Sequence, residues 1–276
     1  MSKVTIESLL DKKKARRPIT MLTAYDFPSA SIMDKAGLDI VLVGDSLANV
    51  VLGLESTRSV GTDEMLTFTK AVRRGVKEAL VVGDMPYESY QVNIEDSLKN
   101  AKRFIDEAGC DAVKLEWFKE APAVTKKLIN EGIQVMGHIG LTPQTADKLG
   151  GFKVQGKDAD TATKLIEEAL LLEKLGVFSI VLECIPDTLA GIITEKLAIP
   201  TIGIGAGPGC DGQVLVLHDI LGLSGEFRPK FVKQYTDLSG QMRKAIEQYK
   251  SEVESRLFPA KEHSYTMEEE EAKKLI

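Results

Sequence analysis

The sequence is poor in the residues that build disulfide frameworks and transition-metal sites. It has only three cysteines and three histidines among its 276 residues. The cysteines, Cys110, Cys184 and Cys210, are odd in number, lie far apart and form no CxxC pair. This pattern argues against a disulfide framework, a zinc site or a redox motif, and we expect reduced, mostly buried thiols.

Long apolar runs and an excess of positive charge are also missing. The first 18 residues lack the continuous apolar stretch of roughly 7–15 residues that a signal peptide needs, and no later run reaches membrane-spanning length. With a net charge of −6 and a pI of about 5.3, the chain would repel a phosphate backbone, which proteins bind through Lys and Arg. We therefore expect a cytoplasmic protein that binds neither membranes nor nucleic acid.

What the sequence does have is a series of short, β-branched apolar runs. Amphipathic stretches with helical spacing separate most of these runs and are long enough to be crossover helices. Four of the stretches end at a glycine just before the next run, where a left-handed residue would stop a helix; these are Gly37, Gly109, Gly132 and Gly176. The eight runs are residues 19–24, 39–44, 79–83, 112–115, 133–137, 179–182, 201–204 and 214–217.

The repeated strand-helix unit predicts an α/β fold whose strands are parallel and buried on both faces. Eight such units most simply close into a (β/α)8 TIM barrel, which commonly takes about 250 residues. A doubly wound open sheet is the structural alternative. Because no Pro- or Ser-rich linker divides the chain, we predict one domain over residues 1–276 with a short N-terminal helix. A closing helix over residues 231–253 and a solvated, charged tail over residues 266–276 complete the prediction.

Polar residues interrupt the apolar runs at their C-terminal ends. In a barrel these ends share one mouth, where barrel enzymes place their catalytic groups. A single Asp in this position is equally well explained as a helix N-cap, but four acids together are harder to explain in that way. The residues in question are Asp45, Ser46, Asp84, Glu116, His138 and Glu183.

Two charged residues of the fourth run strengthen the prediction of a site. Period-two alternation puts Lys114 and Glu116 on one face of the strand and Leu115 on the other. If the charged face points into the barrel, its charges need each other, a metal ion or an anionic ligand, because burying unpaired charge is costly.

The acids also suggest which metal the site would take. Asp45, Asp84 and Glu116 offer oxygen ligands from three strands, without the Cys and multiple His that zinc or copper would favour. Mg²⁺ is the expected ion. Because Mg²⁺ usually takes only one or two carboxylates directly, one of the three acids is expected to act through water.

Some signals are set aside. The stretch GPGCDG (207–212) fits GxGxxG, but it follows the seventh run and leads into another strand, so we interpret it as a tight turn and expect no phosphorylated substrate. A structural role explains His138 as well as a substrate contact does, and no role is assigned to it. Trp117 is expected to pack under the mouth rather than stack on a ligand. His218 and Asp219, at the end of the eighth run, can equally be structural.

Seven stretches together resemble one family, the ketopantoate hydroxymethyltransferases, from near Ile19 to about Pro259. Several of them are long and ungapped, so the resemblance is far more specific than a lone glycine-rich pattern. The stretches are TAYDFPSA (23–30), VGDSLANVVLG (43–53), GDMPY (83–87), AVKLE (112–116), MGHIGLTPQ (136–144), LECIP (182–186) and GIGAGPGCDGQVLV (203–216).

The resemblance implies a (β/α)8 barrel that binds Mg²⁺. It also implies conversion of 3-methyl-2-oxobutanoate and 5,10-methylenetetrahydrofolate into ketopantoate, on the route to pantothenate and coenzyme A. By matching position, Asp45 and Asp84 resemble the metal ligands, with Glu116 completing the metal site. Asp45, Ser46, Asp84 and Lys114 resemble the keto-acid contacts, and Glu183 resembles the catalytic base. A homo-oligomer, often a decamer of stacked rings in bacteria, is implied as well.

Two other functions remain open at this point. The first is another metal-dependent enzyme of 2-keto acids on a similar barrel, such as a carboxyphosphonoenolpyruvate or isocitrate lyase relative, although Cys184 and Cys210 do not sit in the reactive cysteine loop of such enzymes. The second is a ligand-binding barrel without catalysis, which would have no need of a base such as Glu183.

Overall fold

The computed structural model describes residues 3–146, 151, 153–225 and 229–275. Eight parallel strands follow one another around a closed barrel. The closure lies between the first and last strands, where Ile19 to Leu22 pair with Gly212 to Leu215. The predicted barrel is confirmed, and the open sheet is excluded. The strands are β1 (Ile19–Thr23), β2 (Ile40–Val43), β3 (Leu80–Asp84), β4 (Ala112–Glu116), β5 (Val135–Gly140), β6 (Ser179–Glu183), β7 (Thr201–Ile204) and β8 (Gly212–Leu215).

Helices surround the barrel and join most of its neighbouring strands. The four glycines predicted to stop helices all have left-handed φ values, between 73° and 101°, as the sequence indicated. In the described ranges the helices are α1 (Ile6–Lys14), α2 (Phe27–Lys35), α3 (Leu47–Val50), α4 (Thr62–Gly75), α5 (Tyr87–Tyr90), α6 (Ile94–Asp106), α7 (Ala121–Asn130), α8 (Ala159–Leu175), α9 (Asp187–Lys196), α10 (Leu217–Leu221), α11 (Leu238–Glu254) and α12 (Glu269–Ala272). None of them combines the length and apolar character needed to cross a bilayer.

The alternation of side chains along the strands creates two cores. On β2, Ile40 and Leu42 belong to the core inside the barrel, whereas Val41 and Val43 belong to the core between strands and helices. All four are buried, which explains why the run is apolar on successive residues. The same alternation carries the polar residues at the ends of β3, β4, β5 and β6 to the inner face.

The N-terminal helix α1 closes the bottom of the barrel. Leu9, 1% exposed, packs with the inner core. Lys12 pairs with Asp39 at 2.5 Å and Lys13 pairs with Asp211 at 2.7 Å. Both aspartates immediately precede strands, so the ion pairs hold α1 against the N-terminal ends of the strands, opposite the mouth.

Several boundaries differ from the sequence prediction. The closing helix begins at Leu238 rather than residue 231, because the Asp237 side chain accepts the Gly240 N–H at 2.9 Å and caps the helix there. The eighth strand is Gly212–Leu215 rather than residues 214–217, so His218 and Asp219 lie on α10 and do not end a strand.

The charged tail is exposed as predicted, although it contains the short helix α12 and a 3-10 turn over Lys273–Leu275. Residue 276, the last of the predicted tail, lies outside the described residues. The stretch 207–212 forms a turn and enters β8 without opening a helix, as expected. Gly207 has a φ of +74°, and a Cβ on it would lie 2.3 Å from the Asp187 Cβ. Glycine is therefore required there by backbone conformation and by close approach.

Candidate active site

A cavity of about 740 Å³ lies at the C-terminal ends of the strands. Its inner wall is polar, and its outer wall is largely apolar. Every residue that the sequence singled out as a catalytic, substrate or metal contact lines this one cavity: Asp45, Ser46, Asp84, Lys114, Glu116 and Glu183. His138, to which no role was assigned, lines it too.

The centre of the polar wall is a buried ion pair between β3 and β4. Asp84 is paired in register with Lys114, and the Lys114 Nζ lies 2.6 Å from Asp84 Oδ1. Burial raises the pKa of Asp84 to about 7, although Lys114 acts to lower it. Burial acts to lower the pKa of Lys114, but Asp84 and the other nearby carboxylates raise it overall, so the ammonium stays charged. The strand alternation thus does carry a charged pair into the barrel.

The carboxylates of Glu116 and Asp45 are both held by Gln144, which lies in a 3-10 turn after β5. The main-chain N–H of Gln144 donates to Glu116 Oε2 at 3.1 Å, and the Gln144 side-chain amide donates to Asp45 Oδ2 at 2.9 Å. The Tyr90 hydroxyl donates to Gln144 Oε1 at 2.6 Å. Burial raises the pKa of Glu116 well above its ordinary value. Sequence reasoning missed Gln144 and Tyr90 as site residues, although Gln144 ends the stretch MGHIGLTPQ.

His138 lies between three ionisable groups on the inner face. Its Nε2 is 3.2 Å from Glu183 Oε2, and its Nδ1 is 3.5 Å from the Lys114 Nζ and 3.7 Å from Glu116 Oε1. Burial and the Lys114 charge lower the pKa of His138 well below its ordinary value, so the ring is neutral. His138 is part of the site, and β5 extends beyond it to Gly140 rather than ending before it as predicted.

Glu183, the predicted base, is the last residue of β6. Its side chain is 15% exposed, and burial raises its pKa to about 8. The next residue, Cys184, has a left-handed φ of 47° and is held by a hydrogen bond from its N–H to the Ile204 carbonyl at 2.9 Å. This turn in the backbone ends the strand and leaves Glu183 at the cavity.

Ser46 follows Asp45 just before helix α3. Its Oγ lies 2.8 Å from the Tyr25 hydroxyl, and the Asp45 N–H donates to Asp84 Oδ2 at 3.2 Å. Burial raises the pKa of Tyr25, so its hydroxyl stays neutral. The loop after β2 is thereby tied both to β1 and to β3.

The outer wall offers apolar surface and a few polar groups. Apolar side chains line it from the ends of β7 and β8, from the loop after β5 and from the segments before and after α10. Asp219 from α10 and Arg58 from a 3-10 turn (Thr57–Ser59) also face the cavity. Arg58 stacks over the Tyr87 ring at 4.2 Å. Trp117 is partly buried against the outer core, as expected, and the His218 ring contacts Tyr25. The apolar residues are Leu141, Pro143, Ala146, Ile204, Leu215, Val216, Pro229 and Phe231.

The three predicted metal ligands are close together but do not already form a ligand cage. Among the described residues, no three His, Cys, Asp or Glu side chains are arranged to hold an ion. Each carboxylate has one oxygen engaged by an amide: Asp45 Oδ2, Asp84 Oδ2 and Glu116 Oε2. The three cysteines are free, as expected, with Cys110 buried and the other two partly exposed.

Sequence comparison decides the family. The ketopantoate hydroxymethyltransferase family profile matches residues 3–261. A 3-methyl-2-oxobutanoate hydroxymethyltransferase of Syntrophomonas wolfei is 53% identical over 270 residues, which is 98% of each chain. This chain belongs to the ketopantoate hydroxymethyltransferase family. It is therefore an enzyme that transfers a hydroxymethyl group, and the interpretation as a barrel without catalysis is wrong.

The fold is also shared by solved structures of much lower sequence identity. Phosphonopyruvate hydrolase, solved with oxalate and Mg²⁺, superposes with a TM-score of 0.61 at 11% identity, covering 95% of this chain and 93% of that one. The 2,3-dimethylmalate lyase, a member of the PEP mutase/isocitrate lyase superfamily, gives 0.62 at 15% identity, covering 92% and 87%. These hydrolase and lyase structures thus have the same barrel fold as this chain, but sequence identity assigns this chain to the transferases.

Proposed function

We propose that the enzyme transfers the one-carbon unit of 5,10-methylenetetrahydrofolate to 3-methyl-2-oxobutanoate through an enolate, with Mg²⁺ as its metal. The observation that carries this proposal is the arrangement of the inner wall. A carboxylate with a raised pKa, Glu183, shares one cavity with the buried Lys114–Asp84 pair. A base and a cationic centre in one cavity are what removal of a proton next to a carbonyl requires.

The donor set fits Mg²⁺. Asp45, Asp84 and Glu116 provide oxygen atoms only, and Asp84 Oδ1, beyond its ion pair with Lys114, is a buried oxygen without a hydrogen-bond partner in the described structure. The distant barrel of phosphonopyruvate hydrolase was solved with Mg²⁺ and oxalate, a compound with two adjacent carboxylates. When bound, Mg²⁺ would supply positive charge that makes the C3–H bond of the keto acid more acidic.

The residues of the chain have distinct parts in the proposed first step. Glu183 removes the proton from C3, and its raised pKa makes it a stronger base than a solvated carboxylate. The Lys114 ammonium, held by Asp84, stabilises the negative charge that develops on the enolate oxygen. Asp45 and Ser46, which lie between β2 and α3, contact the keto acid from another side of the cavity.

The outer part of the cavity suits a second, larger substrate. Pockets of roughly 300–1,000 Å³ are typical of drug-sized ligands, and a small branched keto acid would leave much of the 740 Å³ unfilled. The apolar outer wall supports a flat, partly apolar group such as the pterin. The C3 enolate would attack the methylene carbon as its bond to folate N10 breaks. Water would then replace folate N5 on that carbon, so that its oxygen becomes the new hydroxyl group and tetrahydrofolate leaves with both nitrogens protonated.

The test is proton NMR of 3-methyl-2-oxobutanoate in D₂O with the purified enzyme. We expect the C3–H signal to disappear when Mg²⁺ is present and to persist with EDTA. Adding methylenetetrahydrofolate should then produce ketopantoate. Glu183→Gln should bind Mg²⁺ and keto acid and yet not exchange the proton. Exchange at the wild-type rate in this variant would refute Glu183 as the base, and a C3 proton that persists in the wild-type enzyme would refute the enolate route.

We also propose that the enzyme is a cytoplasmic homo-oligomer. Free thiols suit a reducing compartment. Helix α11 has no buried residue, and four of its apolar side chains, spaced three or four residues apart, are 43–62% exposed: Met242, Ile246, Tyr249 and Val253. Such a stripe supports a subunit contact. Light scattering should show an oligomer that Ile246→Lys dissociates, and a monomeric wild-type enzyme would contradict the proposal.

A further inference from the structure

Gln144 is a fully buried amide that connects three parts of the cavity wall. It lies in a 3-10 turn (Pro143–Thr145) that follows β5 and is 0% exposed. Its side-chain Nε2 donates to Asp45 Oδ2 at 2.9 Å and to the Met85 carbonyl at 3.1 Å, and its main-chain N–H donates to Glu116 Oε2 at 3.1 Å. One residue thus contacts a carboxylate of the loop after β2 and a carboxylate of β4.

The orientation of the amide follows from its neighbours. The Tyr90 hydroxyl accepts the Glu116 main-chain N–H at 3.3 Å, so its own hydrogen is available to Gln144 Oε1 at 2.6 Å. A flipped amide would place its carbonyl against the Asp45 carboxylate and the Met85 carbonyl, which are both acceptors. Tyr90, 1% exposed, therefore fixes the NH₂ group of Gln144 toward Asp45.

This arrangement occupies one oxygen on each of two carboxylates and leaves the other oxygen for a ligand. Gln144 occupies Asp45 Oδ2 and Glu116 Oε2. Mg²⁺ demands a nearly ideal octahedron, and donors beyond the first ligands commonly set the orientation of those ligands. We propose that Gln144 is a positioning residue for the Mg²⁺ site, fixing Asp45 and Glu116 so that their remaining oxygens face one ion. This inference rests on the proposed metal dependence.

The main test variant is Gln144→Met, which keeps the length of the side chain, removes its hydrogen bonds to Asp45, Met85 and Tyr90, and leaves the main-chain N–H that donates to Glu116. Binding of Mn²⁺ to the purified enzyme without substrates is followed by electron paramagnetic resonance, with Mg²⁺ as competitor. Loss of such a supporting group commonly costs roughly 10–100-fold in metal affinity, and we expect a weakening in that range. The matched control is Gln213→Met, because Gln213 is exposed and bonds the Gly207 carbonyl away from these carboxylates.

A second variant keeps the proposal testable if Gln144→Met does not fold. Tyr90→Phe removes the hydroxyl that orients the amide, so Mn²⁺ affinity should fall by a smaller factor. In the double variant the loss should be less than the product of the two single losses, since both act through one amide. Saturating Mg²⁺ should restore C3 exchange in either single variant but not in Glu183→Gln, which separates metal positioning from proton removal.

The outcomes separate the two proposals. If the wild-type enzyme binds neither Mn²⁺ nor Mg²⁺, the metal dependence itself is wrong, and the role of Gln144 falls with it. If the wild-type enzyme binds the ion and both Gln144→Met and Tyr90→Phe bind it equally well, only the positioning role is refuted. A matching loss in Gln213→Met would show that the effect is general and would also refute that role.

Discussion

His138 is expected to orient Glu183, the proposed base, and its two ring nitrogens can be assigned from their surroundings. Nδ1 lies 3.5 Å from the Lys114 ammonium, which can only donate, so we infer that Nδ1 accepts. In the neutral ring the proton is then on Nε2, which faces Glu183 Oε2 at 3.2 Å. In the described structure Nε2 has no aligned hydrogen-bond partner, and the contact with Glu183 is one of distance only. A small rotation of the Glu183 carboxylate would align the two groups.

The size of the effect follows from this one contact. A hydrogen bond to a charged group contributes about 1.5–3 kcal/mol, which corresponds to a factor of roughly 10–150 in a rate constant. His138→Asn keeps a polar group near Lys114 but cannot reach Glu183, so the exchange rate of the C3 proton should fall within that range. His138→Gln can place its amide nitrogen near the position of Nε2, and its loss should be clearly smaller.

The assay is C3 proton exchange at saturating Mg²⁺ and keto acid between about pH 6 and 10. Burial already raises the pKa of Glu183 to about 8. Removing a donor to the carboxylate destabilises its charged form and raises the pKa further. Because the deprotonated base is the active form, the rate profile of His138→Asn should move to higher pH. Equal losses in both variants with unmoved profiles would refute the orienting role, and thermal melts would show whether His138 merely supports the fold.

Three further predictions concern stability and are measured by denaturant unfolding. Leu9→Ala should lower the free energy of unfolding by about 2–5 kcal/mol because it opens a cavity at the bottom of the barrel. Leu10→Ala, at a partly exposed position, should lower it by less. Equal losses would contradict the packing of α1 against the inner core. Lys114→Met should lower the free energy of unfolding by about 3–5 kcal/mol because it leaves the buried Asp84 unpaired. Adding Asp84→Leu should recover most of that loss. If the double variant recovered none of it, the loss would not come from the unpaired Asp84. Gly83→Ala should cost about 1–3 kcal/mol, since its Cβ would lie 2.5 Å from Phe104 Cδ1; unchanged stability would show that Phe104 moves aside.

The strand pattern could be predicted because a buried parallel strand leaves a strong local signal. Successive apolar residues gave the strand positions, and the alternation around Leu115 correctly placed Lys114 and Glu116 together on the inner face. Boundaries were harder, because the apolar run at residues 214–217 continues after pairing ends. Pairing with β1 ends at Leu215, so the strand ends there. The Leu217 N–H donates instead to the Thr23 hydroxyl at 3.1 Å.

The supporting residues of the site could not be predicted from the pattern. Tyr90 comes from the short helix α5, and Gln144 comes from a 3-10 turn, where neither a period of two nor a period of 3.6 marks an inward side chain. Their importance depends on contacts between residues 54 positions apart in the sequence. Only the tertiary structure shows that both lie beside Glu116.

The chemistry of the site also explains why the barrel tolerates so much buried charge. Among the residues that the structure describes, Asp45, Asp84, Glu116 and Glu183 share the upper part of the barrel with one ammonium, that of Lys114. Apolar side chains there would give a more stable fold, because buried ion pairs commonly contribute less than well-packed hydrophobic residues. The lower part of the barrel interior is apolar and is closed by Leu9. Burial of apolar side chains there and in the outer core, between strands and helices, therefore stabilises the fold. An excess of buried carboxylates at the mouth is therefore consistent with the proposed Mg²⁺ site, which would supply the missing positive charge.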